Sequence, residues 1–226
     1  MKISVIIPVF NGERYICQAI ESVFRQAEHD PALVLEIIVV DNNSTDGTES
    51  VVRAAFGSRL QLIQEDVQGL PSARNAGLKV ATAPFVAFLD ADDIWLPEKL
   101  SRQAAVLKQD PGMHMVFSHC VEFSDPPEMY SFRSESRAAV IGSAMLTRRE
   151  VFDTAGPFPD FRSGEFIAWY GWAQALGFRT FVVPEVLFHR RVHAHNMTRD
   201  RDKVADYPRA MQWLMAKRRT LVPKNA

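Results

Sequence analysis

The sequence is poor in three features that would assign it to particular classes of protein. Its two cysteines, Cys17 and Cys120, lie far apart and form no Cys-x-x-Cys pair, which argues against a disulfide framework or a structural zinc and favours a reducing compartment. The formal net charge is only −1, so the chain has no basic field to hold a nucleic acid. No apolar run approaches the roughly 18 residues that a membrane-spanning helix requires.

Neither end of the sequence is expected to be a targeting or anchoring segment. The opening stretch "MKISVIIPVF" reaches Pro8 too early for the apolar core of a signal peptide. The stretch "MQWLMAKRRTLVPK" is both apolar and basic, so it could lie on a membrane surface. A packed terminal helix followed by a solvated tail is the favoured interpretation. The expected location is therefore cytoplasmic, with peripheral contact at the membrane face left open.

The hydrophobic pattern predicts one α/β domain over residues 1–226. In the first hundred residues β-branched apolar runs alternate with helical patterns, which is typical of a doubly wound, mostly parallel central sheet with helices on both faces. After residue 100 the alternation changes and turn-rich segments appear. The predicted strands are 3–9, 33–41, 58–66, 84–90, 113–123, 137–147, 178–183 and 186–191, and the predicted helices are 15–26, 45–56, 71–82, 95–111 and about 165–176.

Polar residues gather where the predicted parallel strands end. In open α/β sheets, ligands bind beyond the carboxyl ends of the strands, so loops from distant parts of the sequence meet there. The residues concerned are Asn11 and Glu13 after the first strand, Asp41 to Asp46 after the second, and Asp90, Asp92 and Asp93 after the fourth. The sequence therefore predicts one site at this edge of the sheet.

The three carboxylates in "VAFLDADDIW" require a compensating charge. Asp90 and Asp92 are two residues apart, so in an extended segment both would leave the chain on the same face. Hard oxygen ligands of this kind select Mg²⁺ or Mn²⁺, and Asp92 is the favoured metal ligand. The alternative is that these acids cap and turn the chain before the next helix, which is the preferred interpretation for Asp93.

The segment "GLPSARNAG" could hold phosphate. Gly69 and Pro71 suit a turn, Ser72 could cap a helix, and Arg74 is expected in the first helical turn. A helix N-terminus with free N–H groups and an arginine suits an anion. Beside a metal loop, this segment favours a diphosphate group.

Taken as an ordered set, these motifs resemble the family 2 glycosyltransferases, which have the GT-A nucleotide-sugar transferase fold. The resemblance is dense over residues 3–100 and traceable to about residue 198. It rests on "SVIIPVFNGERYICQAIESVFRQ", "EIIVVDNNSTDGT", "GLPSARNAGLKVATAPFVAFLDADDIWLPEKL", "GPFPDFRSGEF" and "RRVHAHNMT".

The resemblance implies a metal-dependent, inverting transfer from a nucleoside diphosphate sugar, most often a uridine diphosphate sugar. It assigns residues 1–100 to donor binding, 101–200 to acceptor binding and 201–226 to a C-terminal helix and tail. The acceptor would be a saccharide, a lipid-linked molecule or a peptide. The implied donor-binding residues are Pro8, Phe10, Glu13, Asp41, Arg74, Asp90 and Arg191, with Asp92 and His193 on Mn²⁺ or Mg²⁺.

The catalytic base is where this chain departs from the family pattern. Family members commonly carry Gly-Glu-Asp before a helix, with the aspartate as base, whereas this chain reads "SGEF" and has Phe166 at that position. Glu165 is the nearest carboxylate and is the expected base, with Asp153 and Asp160 as alternatives. Glu165 could instead be a first-turn acid that the helix dipole favours.

The segment "HRRVHAHNMT" concentrates three histidines and two arginines. The resemblance places Arg191 and His193 over the diphosphate and the metal, and imidazole is an acceptable ligand for Mn²⁺. His189 and His195 are better explained as a solvated strand end. Earlier, "CVEFSDPPEMYSFRSE" is expected to form a lid or rim, with Tyr130 and Phe132 available to stack on a sugar.

Two other functions remain open at the level of sequence. A sugar-phosphate nucleotidylyltransferase would share the first half of the fold, but it normally needs a glycine-rich basic loop after the first strand, where "PVFNGERYI" has a single glycine. A degenerate protein that binds a nucleotide sugar without transferring it would explain Phe166. Both it and a transferase predict donor binding, and only the transferase turns over.

Overall fold

A computed structural model of the chain describes residues 1–127, 129–194, 196 and 206–221, which form one mixed sheet flanked by helices. The strands are β1 (Lys2–Val9), β2 (Val34–Asp41), β3 (Gln61–Gln64), β4 (Phe85–Phe88), β5 (Ile94–Trp95), β6 (Met115–Ser124), β7 (Arg137–Ala139), β8 (Leu146–Arg148) and β9 (Thr180–Val192). The helices are α1 (Ile16–His29), α2 (Thr48–Phe56), α3 (Leu70–Val80), α4 (Lys99–Gln109), α5 (Glu150–Ala155), α6 (Glu165–Ala175) and α7 (Tyr207–Arg219).

The strand order in the sheet is β3-β2-β1-β4-β8-β6-β9-β5. β7 pairs with the part of β6 that does not pair with β8. The first four strands are parallel, as the alternating pattern predicts. β8 runs antiparallel between β4 and β6, and β6 is parallel to β9. The α/β class and the mostly parallel central sheet are therefore confirmed. The carboxyl ends of β1, β2 and β4 meet at one edge, where the acids were expected.

The central strands form because their apolar runs are buried on both faces. Ile3, Ile6 and Ile7 of β1 are fully buried, which is typical of a parallel strand covered by helices on each side. α3 lies so close to β1 that a Cβ on Gly77 would stand 2.4 Å from a methyl carbon of Ile6. A glycine at this position therefore allows the close packing that brings the start of α3 to the edge of the sheet.

The second half differs from the predicted elements in two places. The predicted strand 137–147 is broken into β7 and β8 by a 3-10 turn at Gly142–Ala144. This turn brings Ser143 to the loop of Asp90, Asp92 and Asp93, which we call the aspartate loop. The two strands predicted at 178–183 and 186–191 are one strand, β9. Pro184 and Glu185 have no partner in the register between Val183 and Val186, so an irregularity absorbs the proline without ending the strand.

Smaller differences have local causes. The predicted strand 58–66 shortens to β3 because Gly57–Arg59 forms a 3-10 turn. α5 and β5 are additional elements that are too short to give a clear periodic signal. Asp93 does not cap a helix, since α4 begins only at Lys99, and Ser72 lies inside α3 rather than at its N-cap.

The C-terminal helix is packed, as expected. α7 lies against α6 and buries Ala210 and Leu214, and a Cβ on Gly171 of α6 would stand 2.6 Å from a methyl carbon of Leu214. Residues 201–205 and 222–226 of the predicted helix and tail lie outside the described residues. Among the residues that the structure describes, none of the helices is long and apolar enough to cross a membrane.

Candidate active site

The loops after β1 and β2 are joined to each other by hydrogen bonds. The amide of Asn11 donates to Ser44 Oγ at 2.9 Å, and the amide of Glu13 donates to Asp46 Oδ2 at 3.1 Å. The carboxylate of Glu13 accepts in return from the amide of Gly47 at 2.9 Å, and a Cβ on that glycine would collide with the carboxylate. Glu13 therefore holds the two loops in register while remaining at the surface.

The predicted base-pocket residues lie at the start of this surface. Pro8 is buried in β1, whereas the side chain of Phe10 is 51% exposed. Asp41 ends β2, where it accepts from the amide of Ser44 at 2.9 Å and from Gln64 Nε2 at 3.3 Å. A carboxylate has about four acceptor positions, so these two bonds leave acceptor capacity on Asp41.

Asn42 is an organising residue that the sequence analysis missed. Its Nδ2 donates to the carbonyls of Glu65 and Val67, both at 2.8 Å, and its Oδ1 accepts from the amide of Gly69 at 2.7 Å. One buried side chain thus connects the end of β2 to the loop that enters α3. The signal was an asparagine directly after a buried strand, but its partners more than twenty residues away could not be read from the sequence.

Arg74 joins two of the predicted site carboxylates. It is only 3% exposed; its Nη1 donates to Glu165 Oε1 and its Nη2 to Asp90 Oδ1, each at 2.9 Å. Its Nε is buried and has no hydrogen-bond partner within the described part of the chain. Arg74 of α3 therefore joins Asp90, from the loop after β4, to Glu165 of α6 through the two terminal nitrogens of one guanidinium.

Glu165 is buried at the first position of α6, after Gly164 in a left-handed conformation. Burial raises the pKa of its carboxyl above the usual value for glutamate, and the positive charge of Arg74 opposes that shift. A carboxylate with a raised pKa is a stronger proton acceptor once ionised. Glu165 is thus a first-turn acid whose raised pKa would suit a general base, and its role as base stays a prediction.

Asp92 and His193 form the second polar group of the site. His193 Nε2 lies 2.9 Å from Asp92 Oδ2, and Asn196 Nδ2 donates to the same oxygen at 3.1 Å. The imidazole ring also packs against Tyr15, with 4.9 Å between ring centroids. The end of β9 therefore lies against the aspartate loop, and the implied contact of His193 to the metal stays a prediction. His195 lies outside the described residues.

These residues fit a divalent cation that has two protein ligands. Within the described residues no group of three histidine, cysteine or acidic side chains comes together, so in this part of the chain the ligands would be Asp92 and His193. A carboxylate oxygen and an imidazole nitrogen suit Mn²⁺, and the remaining positions would be left to oxygens of the substrate or of water. The donor set agrees with a metal that binds together with a diphosphate.

The guanidinium of Arg191 is bonded to protein groups, and the residue is buried. Its Nε donates to the carbonyl of Asp92 at 2.8 Å, its Nη1 to Asp125 at 2.6 Å and its Nη2 to Gln18 at 2.7 Å. The guanidinium also lies 4.4 Å from the centroid of the Tyr15 ring. In this arrangement Arg191 fixes the backbone that carries Asp92. Its contact to the donor stays a prediction.

Asp93 is a buried structural acid. It accepts from the amide of Arg191 at 3.0 Å and from the hydroxyl of Ser143, so it joins the aspartate loop to β9 and to the 3-10 turn. Burial raises the pKa of its carboxyl well above the usual value, and the charges of Asp92 and Asp90 raise it further. The third acid of the motif therefore acts inside the fold.

The alternative bases lie elsewhere. Asp153 of α5 lines a shallow surface groove with Pro84 and Phe85, at the amino end of β4 and thus at the opposite edge of the sheet from Asp90. Asp160 is exposed on the connection before α6. His189 lies in β9 with its ring 6.2 Å from that of Phe123, and burial lowers its pKa. Neither of the alternative bases, Asp153 and Asp160, takes part in the contacts that join Asp90, Arg74 and Glu165, and neither does His189, which was expected only at a strand end.

Phe166, at the position of the usual family aspartate, points into the aromatic core. Its ring stacks on Tyr170 with 6.1 Å between centroids, and it lies 6.2 to 6.3 Å from the rings of Phe117, Phe158 and Trp169. The backbone at the start of α6 thus sends Glu165 toward Arg74 and Phe166 toward the core. A carboxylate at position 166 would be placed among aromatic rings in this orientation.

We expect Phe166→Asp to destabilise the protein without raising activity. Emptying a buried phenylalanine site costs about 3–5 kcal/mol, and a buried carboxylate adds a desolvation cost. Urea unfolding would measure the loss. The matched control is Ile167→Asp at the next, half-exposed position, where a surface substitution should cost about 0.5 kcal/mol. Equal stability of the two variants would show that position 166 opens into the site.

Taken together, the doubly wound sheet, the loops tied after β1 and β2, and the Asp92–His193 pair define a nucleotide-sugar transferase of the GT-A type. The model of the family "Glycosyl transferase family 2" matches residues 4–157, and the chain belongs to this family. The resemblance, the fold and the enzyme class, a glycosyltransferase, are thereby confirmed.

Individual known proteins agree with the assignment. An Escherichia coli protein, UDP-Glc:alpha-D-GlcNAc-diphosphoundecaprenol beta-1,3-glucosyltransferase WfgD, is 38% identical over 106 residues, which are 46% of this chain and 40% of WfgD. The chain spans less than two thirds of the length of several curated relatives that it matches, WfgD among them.

Two solved structures show the same fold. That of S. aureus TarS 1-349 in complex with UDP-GlcNAc matches with a TM-score of 0.79 over 96% of this chain and 66% of TarS 1-349, at 21% identity. The mannosyltransferase PcManGT from Pyrobaculum calidifontis, in complex with GDP-Man and Mn²⁺, matches with a TM-score of 0.67 over 99% of this chain and 76% of PcManGT, at 22% identity.

Proposed function

We propose that the protein is a metal-dependent, inverting glycosyltransferase that moves a sugar from a nucleoside diphosphate sugar to a hydroxyl of a lipid-linked saccharide. The observation that carries this proposal is that the guanidinium of Arg74 bonds to both Asp90 and Glu165, while Asp92, two residues after Asp90, contacts His193. One carboxylate thus follows a strand of the first half of the chain, and a second, with a raised pKa, belongs to the second half.

Residues 1–100 bind the donor in this proposal. Asp41, with its remaining acceptor capacity, takes an N–H of the base, and Pro8, Phe10 and Glu13 line the pocket. Uridine is the favoured base because the relative WfgD is a UDP-Glc transferase by name. Asp90, held by Arg74, lies beside the ribose and the transferred sugar.

Asp92 and His193 would hold Mn²⁺ or Mg²⁺. When bound, the cation neutralises negative charge on the departing nucleoside diphosphate, and PcManGT, whose structure contains Mn²⁺, provides a parallel. Arg191 keeps the backbone of Asp92 in place through its bond to the Asp92 carbonyl. The aspartate loop therefore stays fixed while the donor binds and leaves.

Glu165 is the general base. As the acceptor oxygen forms its bond to the anomeric carbon, the bond from that carbon to the diphosphate breaks, and the acceptor proton passes to the carboxylate of Glu165. Attack from the face opposite the leaving group inverts the anomeric configuration. The bond from Arg74 orients the carboxylate, and burial keeps water away from it.

The name of one relative supports a lipid-linked acceptor. WfgD acts, by name, on a GlcNAc carried by a diphosphoundecaprenol. We extend this chemistry to the present chain: residues 101–200 bind the saccharide, and the enzyme meets its lipid-linked acceptor at the cytoplasmic face of a membrane by peripheral contact.

A thermal-shift screen of UDP- and GDP-sugars, each with and without Mn²⁺, tests donor binding. A ligand at a hundred times its dissociation constant should stabilise the fold by about 2.7 kcal/mol. We expect stabilisation by one nucleotide family and only with the metal. Donor binding in this screen, together with no product in a transfer assay, would support the degenerate alternative, which Phe166 favours. No shift with any donor would contradict both.

A further inference from the structure

Beyond the proposed catalytic residues, Glu122 of β6, Arg137 of β7 and Arg190 of β9 form a charged group that we call the Glu122 cluster. Arg137 Nη2 lies 2.6 Å and Arg190 Nη1 2.7 Å from the same oxygen, Glu122 Oε1. Burial alone would raise the pKa of Glu122, but the bonds from Arg137, from the amide of Arg133 and from Arg190 lower it to about 2. The carboxylate is therefore ionised at any physiological pH.

The cluster lies beside the catalytic edge, on the side away from the donor loops. In the sheet order, β1 and β2 are on one side of β4, and β6 and β9 are on the other. Glu122 pairs with Arg190 in the register of β6 and β9. Arg190 is close to the aspartate loop, because the amide of the next residue, Arg191, donates to Asp93 Oδ1 at 3.0 Å.

The cluster has more positive than negative charge. Two guanidinium groups share one carboxylate, and about a quarter to a third of each arginine side chain is exposed. Arg137 Nη1 is buried without a hydrogen-bond partner in the described part of the chain. The exposed parts of the two guanidinium groups remain open to a ligand, and arginine pairs are well suited to phosphate oxygens.

The surroundings combine this charge with apolar surface. The connection between β6 and β7 carries the exposed side chains of Met129 and Phe132, and the amide of Arg133 in the same connection is bonded to Glu122. Glu135 is an exposed acid among the described residues of this connection, and Asp125 at its start is paired with Arg14 and Arg191. A phosphate with an attached hydrocarbon chain would match both features.

We infer that Arg137 and Arg190, held on Glu122, form a subsite for the phosphate groups of a lipid-linked acceptor. The inference rests on the proposed function, because the subsite is meaningful only if an acceptor binds on the far side of Asp90 from the donor. The two guanidinium groups bind the phosphate, the β6–β7 connection contacts the first part of the lipid, and the acceptor sugar then extends toward Glu165.

Paired acceptors test this subsite. N-acetylglucosamine would be supplied as an undecyl diphosphate and as a neutral undecyl glycoside, and kcat/KM would be measured for each with the wild type, Arg137→Ala and Arg137→Lys. We expect Arg137→Ala to lower kcat/KM about 10- to 100-fold more for the diphosphate than for the glycoside, the size of a lost charge-assisted hydrogen bond. The kcat/KM of Arg137→Lys for the diphosphate should lie between those of the wild type and of Arg137→Ala. Arg179→Ala, which removes an exposed arginine paired with Asp110, should change neither value.

Isothermal titration supplies a readout besides turnover. In the presence of UDP and Mn²⁺ the wild type should bind the undecyl diphosphate at least about tenfold more tightly than the glycoside, and Arg137→Ala should abolish the difference. Equal binding of the two probes by the wild type would overturn the subsite, as would an equal loss for both acceptors in the variant. A matching loss of UDP affinity would instead assign the arginines to the donor. Preferential binding of the diphosphate without transfer would refute only the proposed function.

Discussion

Replacing Glu165 with glutamine is expected to lower the rate of sugar transfer by roughly 10²- to 10⁴-fold, the usual contribution of a general base. Glutamine has nearly the same shape and can still accept from Arg74, whose Nη1 lies 2.9 Å from Glu165 Oε1. Donor affinity should therefore stay close to that of the wild type. The loss should appear in kcat rather than in KM, since the variant removes a proton acceptor and leaves the binding residues in place.

The pH dependence of the two proteins provides a second readout. Burial raises the pKa of Glu165, so the acid limb of the wild-type rate profile should lie at higher pH than an ordinary glutamate would give, and it should be absent from the variant. Because the raised pKa belongs to the folded state, the contribution of Glu165 to stability is full below the usual glutamate pKa and is lost as pH rises through the raised value. The Tm of the wild type relative to Glu165→Gln should fall over that range.

A matched control is Glu150→Gln, which changes the first residue of α5, an acid whose side chain is 61% exposed. It should leave the rate, the pH profile and the Tm unchanged. If Glu165 is only a structural partner of Arg74, the glutamine variant would have a lower Tm but would keep most of its kcat and the acid limb. That result would contradict its assignment as base.

Replacing Asp92 with asparagine is expected to abolish the metal-dependent part of donor binding. Mutating a residue that only contacts a metal ligand lowers metal affinity about 10- to 100-fold. For a direct ligand we therefore expect metal affinity to fall by at least about 100-fold. The fold should survive, because Arg191 bonds to the backbone carbonyl of Asp92 rather than to its carboxylate. Calorimetric titration of the donor with Mn²⁺ measures the effect.

Asp110→Asn is the control for loss of one acid, since Asp110 forms an exposed pair with Arg179. It should bind the donor as the wild type does. Circular dichroism of both variants would show whether the fold is kept. Unchanged Mn²⁺-dependent affinity in a folded Asp92→Asn variant would exclude Asp92 as a ligand and leave the acids after β4 with a structural role.

The first half of the fold could be read from the sequence because its signals are local. The apolar runs of β1, β2 and β4 are short, continuous and separated by helical patterns, so their parallel pairing and the acids at their ends follow from general rules. The second half could not be read as well. The break at Gly142–Ala144 and the continuous β9 with Pro184 depend on which strands lie beside them.

The candidate site shows the same division. The sequence placed Asp41, Asp90 and Asp92 at one edge, since each follows a strand. It could not show that Arg74 lies between Asp90, 16 residues away, and Glu165, 91 residues away. Nor could it show that Arg191 is engaged by protein groups while its neighbour Arg190 joins the Glu122 cluster. Such pairs arise from tertiary packing, for which spacing in the sequence carries no signal.

Turnover with a lipid-linked acceptor tests the central claim most directly. The wild-type protein would be incubated with Mn²⁺, a panel of UDP- and GDP-sugars and GlcNAc carried on an undecyl diphosphate, and the product would be examined by mass spectrometry and NMR. The account predicts one donor that yields a disaccharide, with the anomeric configuration inverted. Donor binding without any product, or a product that retains the configuration of the donor, would contradict it.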